Sequence, residues 1–328
     1  MMKISLLIPI YGVERYIEKC VASLFEQTYE NIEYIFVDDC TPDNSIKILN
    51  EVIERYPERK NHIHTIRHNI NKGLAQARNT ALEAATGDFV LNVDSDDYLE
   101  PQAIERLCAV AGKEKADVVV FGFYSVYAKG RLARPNTYHF VDKESYLKSL
   151  LEKKHTSCVW GKFIARELYL KTNIRAIPGL NQGEDYAVIP RLLYYAERIV
   201  MIEDCLYNYV QYNNEAYTKS FKRKHIDDLL KADSVLTAFF LSVPEMDLYE
   251  SILFRAKLRT KTYMLKIAHT MADIREISKV YPDIPQKYHK DLSVTDRVIL
   301  KLVQLKCYRL ILCFTSAGFW IKRKLKSL

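Results

Sequence analysis

The sequence predicts an α/β protein: a mainly parallel central sheet covered by helices on both faces, followed by a helical extension. Three observations predict it. Short apolar runs alternate with amphipathic helical spacing through the first hundred residues, and several of those runs end in acidic clusters. The composition, 48% hydrophobic and 27% charged with only 10 Gly and 10 Pro in 328 residues, is that of a chain that buries a core.

The elements follow in order. Residues 4–10 form a short apolar run, as in a parallel strand buried on both faces. Over 13–27, Val13, Ile17, Val21, Leu24 and Phe25 share one helical face. A second buried strand is expected over 32–37, ending at Asp38-Asp39, and a helix over 46–55 after Thr41-Pro42-Asp43. A weaker strand over 62–67 precedes an alanine-rich helix over 74–85, for which Gly87 is the expected C-cap. Residues 89–93 read as a strand ending at Asp94, and 118–124 and 138–141 as further strands. From Tyr146 the pattern reads as mainly helical.

The net charge of +7 has a location. Residues 293–328 hold eight Lys and Arg against the single acid Asp296, which accounts for the whole excess. A neutral body argues against nucleic acid as a partner, because such a partner draws a basic face across the domain. The seven cysteines are odd in number and lack metal or redox spacing, as expected of reduced thiols in a cytoplasmic protein. Neither a signal-peptide core nor an apolar run long enough to span a bilayer is expected.

Three clusters fall at strand ends, where open parallel sheets bind ligands: Pro9-Ile10-Tyr11, Val37-Asp38-Asp39, and Asp94-Ser95-Asp96-Asp97. Neither GxGxxG nor GxxxxGK[ST] is present, so backbone amides of a glycine loop do not cradle a phosphate here. A divalent cation held by carboxylates is the alternative, since Mg²⁺ and Mn²⁺ take hard oxygen ligands and share phosphate oxygens. Asp39 or Asp43 could instead cap the helix near Asn44, and Asp96 or Asp97 the helix after Pro101. Glu184-Asp185 fits equally the acidic first turn of a helix. His62, His64 and His68 read as strand and loop positions without a role.

The blocks "SLLIPIYGVERYIEKCVASLFEQTYENIEYIFVDDCTPDNS" and "NKGLAQARNTALEAATGDFVLNVDSDD", followed by "VWGKF" and "GEDYAVIPRLLYYAERIVMIEDCLYNY", resemble the bacterial family 2 glycosyltransferases, in the correct order from about Ile4 to Tyr209. The resemblance implies a GT-A fold, a Rossmann-like sheet flanked by helices. It implies a catalytic domain over 1–220, divided into a sugar-nucleotide half (1–112) and an acceptor half (113–220); from Phe221 the resemblance fades, and the spacing itself reads as a helical extension (221–292) and a basic amphipathic tail (293–328). Inverting transfer from a nucleotide-sugar, UDP-linked by expectation, to a glycan or lipid-linked acceptor is the implied function, in cell-surface polysaccharide synthesis. In that family's pattern Asp39 reads the base, and Pro9 and Tyr11 line the base and ribose pocket. Lys72, Arg78, Asp94 and Ser95 border the donor, and Asp96 ligates Mn²⁺ or Mg²⁺. Asp185 is the general base, with Trp160 and Glu184 on the acceptor side. Gly12, Cys40-Thr41-Pro42 and Gly161 depart from the usual pattern, which bears on sugar preference.

The carboxyl end adds one expectation. Arg297, Lys301, Gln304 and Tyr308 make a polar stripe, with Phe319 and Trp320 ahead of Lys322-Arg323-Lys324. That pattern suits an anchor on an anionic membrane, at the inner face of the cell membrane. The alternative is a helix packed on the body or on a second copy in a homodimer. The basic cluster Lys219, Lys222, Arg223, Lys224 and His225 reads as a lid or a solvated helix start. A non-catalytic sugar-nucleotide-binding scaffold is the competing function, and a nucleotidyltransferase a weaker one for want of a glycine-rich loop.

Overall fold

A computed structural model describes residues 1–137, 142–213 and 223–313, the Arg223 side chain excepted; the strand expected over 138–141 lies outside the described residues. The chain divides into two compact units, Met1–Leu147 with Ser157–Ser220, and Lys148–Thr156 with Phe221–Leu328.

The first unit alternates β1 (Ile4–Ile10), α1 (Ile17–Phe25), β2 (Ile32–Asp38), α2 (Ser45–Ile53), β3 (Ile63–Arg67), α3 (Leu74–Ala84) and β4 (Phe89–Asn92). These four strands are parallel neighbours in the order β3-β2-β1-β4. Every residue of β1 and β2 is buried, which is why both read as runs rather than alternations. The connections lead outward from β1 to β3 and then return to β4 on its other side. That reversal is a switch point, where strand carboxyl ends splay and leave a crevice.

The chain continues with β5 (Tyr98–Leu99), α4 (Ala103–Glu114), β6 (Val118–Tyr127), β7 (Gly130–Arg134), α5 (Lys143–Leu151), whose last residues from Lys148 belong to the second unit, β8 (Lys162–Ala165), α6 (Arg166–Thr172), α7 (Glu184–Tyr195) and β9 (Ile199–Val210). β8 joins β4 antiparallel, and β6 and β9 pair in parallel beyond it. After Tyr146 the chain is mainly helical, as its pattern predicts, with β8 and the 12-residue β9 as the strands that the pattern did not mark. Half-buried β9 carries Glu203 and Asp204 mid-strand, which blunts its apolar signal. The expected role of Gly87 is corrected. The C-cap of α3 is Ala85, whereas a Cβ on Gly87 would lie 2.6 Å from the Ser5 hydroxyl and 2.7 Å from the Lys3 carbonyl. Glycine is there to let the chain pass close to β1.

In the second unit, α8 (Arg223–Phe240), α9 (Met246–Ile267), α10 (Met271–Ser278) and α11 (Val294–Gln304) enclose Ile226, Leu229, Met264, Leu265, Ile274, Ile277, Ile299 and Ile311. Ile299 and Ile311 are fully buried, so the stretch from 293 to 311 contributes to this helical core. Val298, Leu305 and Leu310 remain exposed beside them. Phe319, Trp320 and the Lys322–Lys326 basic run lie outside the described residues, as do Lys219 and Lys222. His225 is buried in α8, so that segment is not a wholly solvated helix start. Among the described residues no helix is long and apolar enough to cross a membrane.

Candidate active site

The site lies at the carboxyl ends of β1, β2 and β4. Pro9 is buried in β1, opposite Val37 of β2, and Tyr11 follows at 50% exposure. Gly12, at φ +67, donates its N–H to the Thr41 hydroxyl at 2.9 Å, and Thr41 in turn donates to Asp43. The unusual Gly12 and Cys40-Thr41-Pro42 thus tie the loops after β1 and β2 together. Asp43 also accepts the Ser45 N–H, so the acid at the start of α2 is Asp43 and not Asp39.

Asp39 turns instead toward the segment before α3. Its Oδ1 accepts the Lys72 N–H at 2.8 Å and its Oδ2 the Gly73 N–H at 2.8 Å. Gly73 sits at φ +86, a conformation that side chains disfavour, and a Cβ there would approach the Asn181 Oδ1 to 2.8 Å. The contribution of Lys72 to Asp39 is a backbone one; its side chain is exposed. His68, assigned no role from sequence, is buried with Nδ1 2.7 Å from Asp39 Oδ1 and Nε2 3.0 Å from the Thr80 hydroxyl.

The Asp94–Asp97 segment is a tight turn closed by the Asp97 N–H on the Asp94 carbonyl at 2.9 Å. β9 braces it. The Tyr207 hydroxyl accepts the Asp94 N–H at 3.1 Å and donates to Asp97 at 2.8 Å, while Val210 N–H donates to Asp97 at 2.7 Å. Burial, and then the charges of Asp96 and Asp94, push the Asp97 carboxyl well above the usual range. Asp97 is an anchor, not a helix cap. Ser95 is buried in the turn, and Asp96 Oδ2 accepts from the Asn213 amide at 2.7 Å.

Arg78 of α3 ties this turn to the start of α7. Its Nη2 donates to Asp94 at 2.8 Å, and its Nη1 to Glu184 at 3.0 Å and Asp185 at 2.6 Å. The other Asp185 oxygen accepts the Val159 N–H at 3.0 Å. Arg78 is only 7% exposed. Burial opposes its charge, but Asp185, Asp94 and Glu184 outweigh it and hold the guanidinium firmly protonated. Burial raises both the Glu184 and Asp185 carboxyls; Asp185 adds to the rise of Glu184, and Arg78 opposes both. Three carboxylates on one buried cation leave a net negative site unless a proton or second cation joins them.

Trp160 is 7% exposed and stacks on Tyr207 at 4.6 Å and Tyr209 at 5.3 Å, with Phe123 edge-on at 5.0 Å. Its ring lies in the core, where it supports the β9 tyrosines, rather than forming an open cleft wall. Among the described residues no group of three His, Cys, Asp or Glu stands ready for a metal ion. Two carboxylates, Asp94 and Asp96, fit the other arrangement, an Mg²⁺ or Mn²⁺ bound by one or two carboxylates and completed by substrate phosphates. Tyr207, Asn213 and His68 escaped sequence reading because each meets its acid only through the fold. Position offered one signal, since His68 alone of its trio follows a strand.

Residues 5–172 match the sequence model of glycosyl transferase family 2. The chain is 32% identical over 243 residues to the uncharacterized glycosyltransferase EpsJ of Bacillus subtilis (strain 168), covering 72% of this chain and 69% of EpsJ. It is 32% identical over 213 residues to the putative glycosyltransferase EpsH of the same organism, covering 63% of this chain and 60% of EpsH, less than two thirds of that relative. Its fold is similar to the crystal structure of S. aureus TarS 1-349 in complex with UDP-GlcNAc, at TM-score 0.70 and 19% identity, covering 97% of this chain and 92% of that one.

Proposed function

The chain belongs to glycosyl transferase family 2, with the GT-A fold, and from that premise we propose that it moves a sugar from a UDP-sugar to a hydroxyl of a glycan or lipid-linked acceptor, with inversion, in cell-surface polysaccharide synthesis. The observation that supports this reading is the Arg78 junction, which joins a donor-side carboxylate, Asp94, to the Glu184-Asp185 pair through one guanidinium. A binding scaffold has no physical need for all of Asp39, Asp94, Asp96 and Asp185. The nucleotide choice draws on the UDP-GlcNAc bound by TarS.

In this mechanism Asp39 accepts from the base and Tyr11 lies against the nucleoside. Asp94 and Asp96 would hold Mn²⁺ or Mg²⁺, which when bound neutralises charge on the leaving diphosphate. Asp185 takes the proton from the acceptor hydroxyl as that oxygen attacks the anomeric carbon. Arg78 and the Val159 N–H fix its two oxygens and leave a lone pair on each for that hydroxyl. Its raised pKa makes it a stronger base than an ordinary aspartate. A single displacement inverts the configuration and requires no covalent nucleophile. Work at the inner membrane face is part of the proposal, through the basic residues beyond 313.

Asp185→Asn tests it. The variant is expected to bind UDP normally and lose transfer by about a hundredfold or more. Near-normal transfer in Asp185→Asn with an inactive Glu184→Gln would move the base to the neighbouring residue.

A further inference from the structure

Asp39 is buried and faces three donors. Backbone N–H groups of Lys72 and Gly73 point at its two oxygens, and His68 Nδ1 stands 2.7 Å from Oδ1. On the far side of the ring, the Thr80 hydroxyl lies 3.0 Å from Nε2. A carboxylate oxygen facing Nδ1 requires the proton on Nδ1, and in the neutral ring Nε2 is then the acceptor to which Thr80 donates. The chain of donation therefore runs from Thr80 through His68 to Asp39. Oδ1 has both its lone pairs engaged, and the spare acceptor site of Asp39 is on Oδ2.

We propose that His68 and Thr80 form a positioning relay that holds Asp39 as an acceptor-only reader of the nucleotide base, so that the site takes a base presenting a ring N–H, as uracil does, over cytosine. The proposal rests on the UDP-sugar reading and adds the residues that set its base preference. Uracil N3–H completes the last acceptor site. Cytosine offers a lone pair at N3, which would face a carboxylate that cannot turn or supply a proton. Sites built to hydrogen-bond a group discriminate strongly against the analogue that lacks it, because the buried partner is left unpaired. His68 touches no reacting atom. Its effect should therefore appear in donor affinity and base choice, not in the rate at saturation.

The test is titration calorimetry of the full chain with UDP and CDP, alongside KM and kcat for the UDP-sugar. Wild type is expected to favour UDP. A hydrogen bond to a charged group is lost in His68→Phe, so UDP affinity should fall about tenfold or more while CDP affinity stays put and the preference collapses. KM rises with kcat nearly unchanged. His68→Asn, whose amide reaches the Nδ1 position, should restore most of the preference. Thr80→Val should fall between them, and it carries the decision if His68→Phe does not fold. An unchanged UDP-to-CDP ratio in the folded variants overturns the relay while leaving the donor reading intact. So does an equal loss for both nucleotides that His68→Asn fails to rescue, which marks a merely structural histidine. Wild type that binds neither nucleotide overturns the donor reading and the relay with it.

Discussion

Replacing Arg78 with methionine isolates the charge that holds the site together. Methionine preserves most of the aliphatic length and removes the guanidinium from Asp94, Glu184 and Asp185, which it meets at 2.8, 3.0 and 2.6 Å. Breaking a buried ion pair from one side costs about 3–5 kcal/mol, chiefly because uncompensated charge remains. The cost depends on pH with a definite sign. Glu184 and Asp185 already have folded-state pKa values raised above their ordinary ones, so their contribution to stability is present at low pH and is lost as pH rises through those raised values. Arg78 opposes the rise in both, and methionine ends that opposition. The deficit of the variant should therefore be smallest near the ordinary glutamate value of 4.5 and grow with pH above it. Urea unfolding of parent and Arg78→Met at about pH 5 and about pH 8 measures this directly. Adding Glu184→Gln to the variant should recover part of the loss, with a coupling on the order of 0.5–3 kcal/mol. An equal deficit at both pH values, together with additive double-mutant energies, would refute the electrostatic account and leave only lost packing.

The remaining predictions concern the turn, the sheet and the carboxyl end. Asp96→Ala should abolish Mn²⁺-dependent UDP binding and nucleotide release while leaving the melting temperature in place; full turnover would rule out its metal role. Gly87→Ala should destabilise by about 1–3 kcal/mol through overpacking, because the new methyl meets Ser5 and the Lys3 carbonyl below 3 Å; an unchanged thermal melt would contradict this. Removing residues 314–328, with Lys322, Arg323, Lys324 and Lys326, should weaken flotation with anionic vesicles, at about 1 kcal/mol per basic residue. Equal flotation of both forms would count against a membrane role. Truncation at 293 is a poorer test, since Ile299 and Ile311 would leave the helical core.

The first half of the sheet was legible because burial on both faces writes itself into composition. β1 and β2 show no period, only short and mainly apolar runs, as strands buried on both faces do, and β2 ends in acids. β9 has no such mark. It is half-buried, and its pairing with β6 is interrupted by register shifts around Gly122, so neither a run nor a clean alternation survives along it. A strand of that kind is defined by its partner, which lies some eighty residues earlier in the chain, and local reading has no access to the partner.

The same distinction runs through the site. Acids at strand ends are visible one segment at a time, and Asp39, Asp94 and Asp96 stand out on that ground alone. What they do depends on groups brought from afar: Tyr207 and Val210 reach Asp97 across 110 and 113 residues, and Arg78 reaches Asp185 across 107. Each of these contacts also explains a feature that spacing left ambiguous. Asp97 is too well satisfied by β9 to cap a helix. Glu184-Asp185 does open α7, and the helix start delivers both acids to Arg78. The sheet order makes this unavoidable. With β4 beside β1 and β8 beside β4, the turn after β4 and the segments around β8 and α7 converge on one end of the sheet, and a single buried cation between them is what lets their carboxylates coexist.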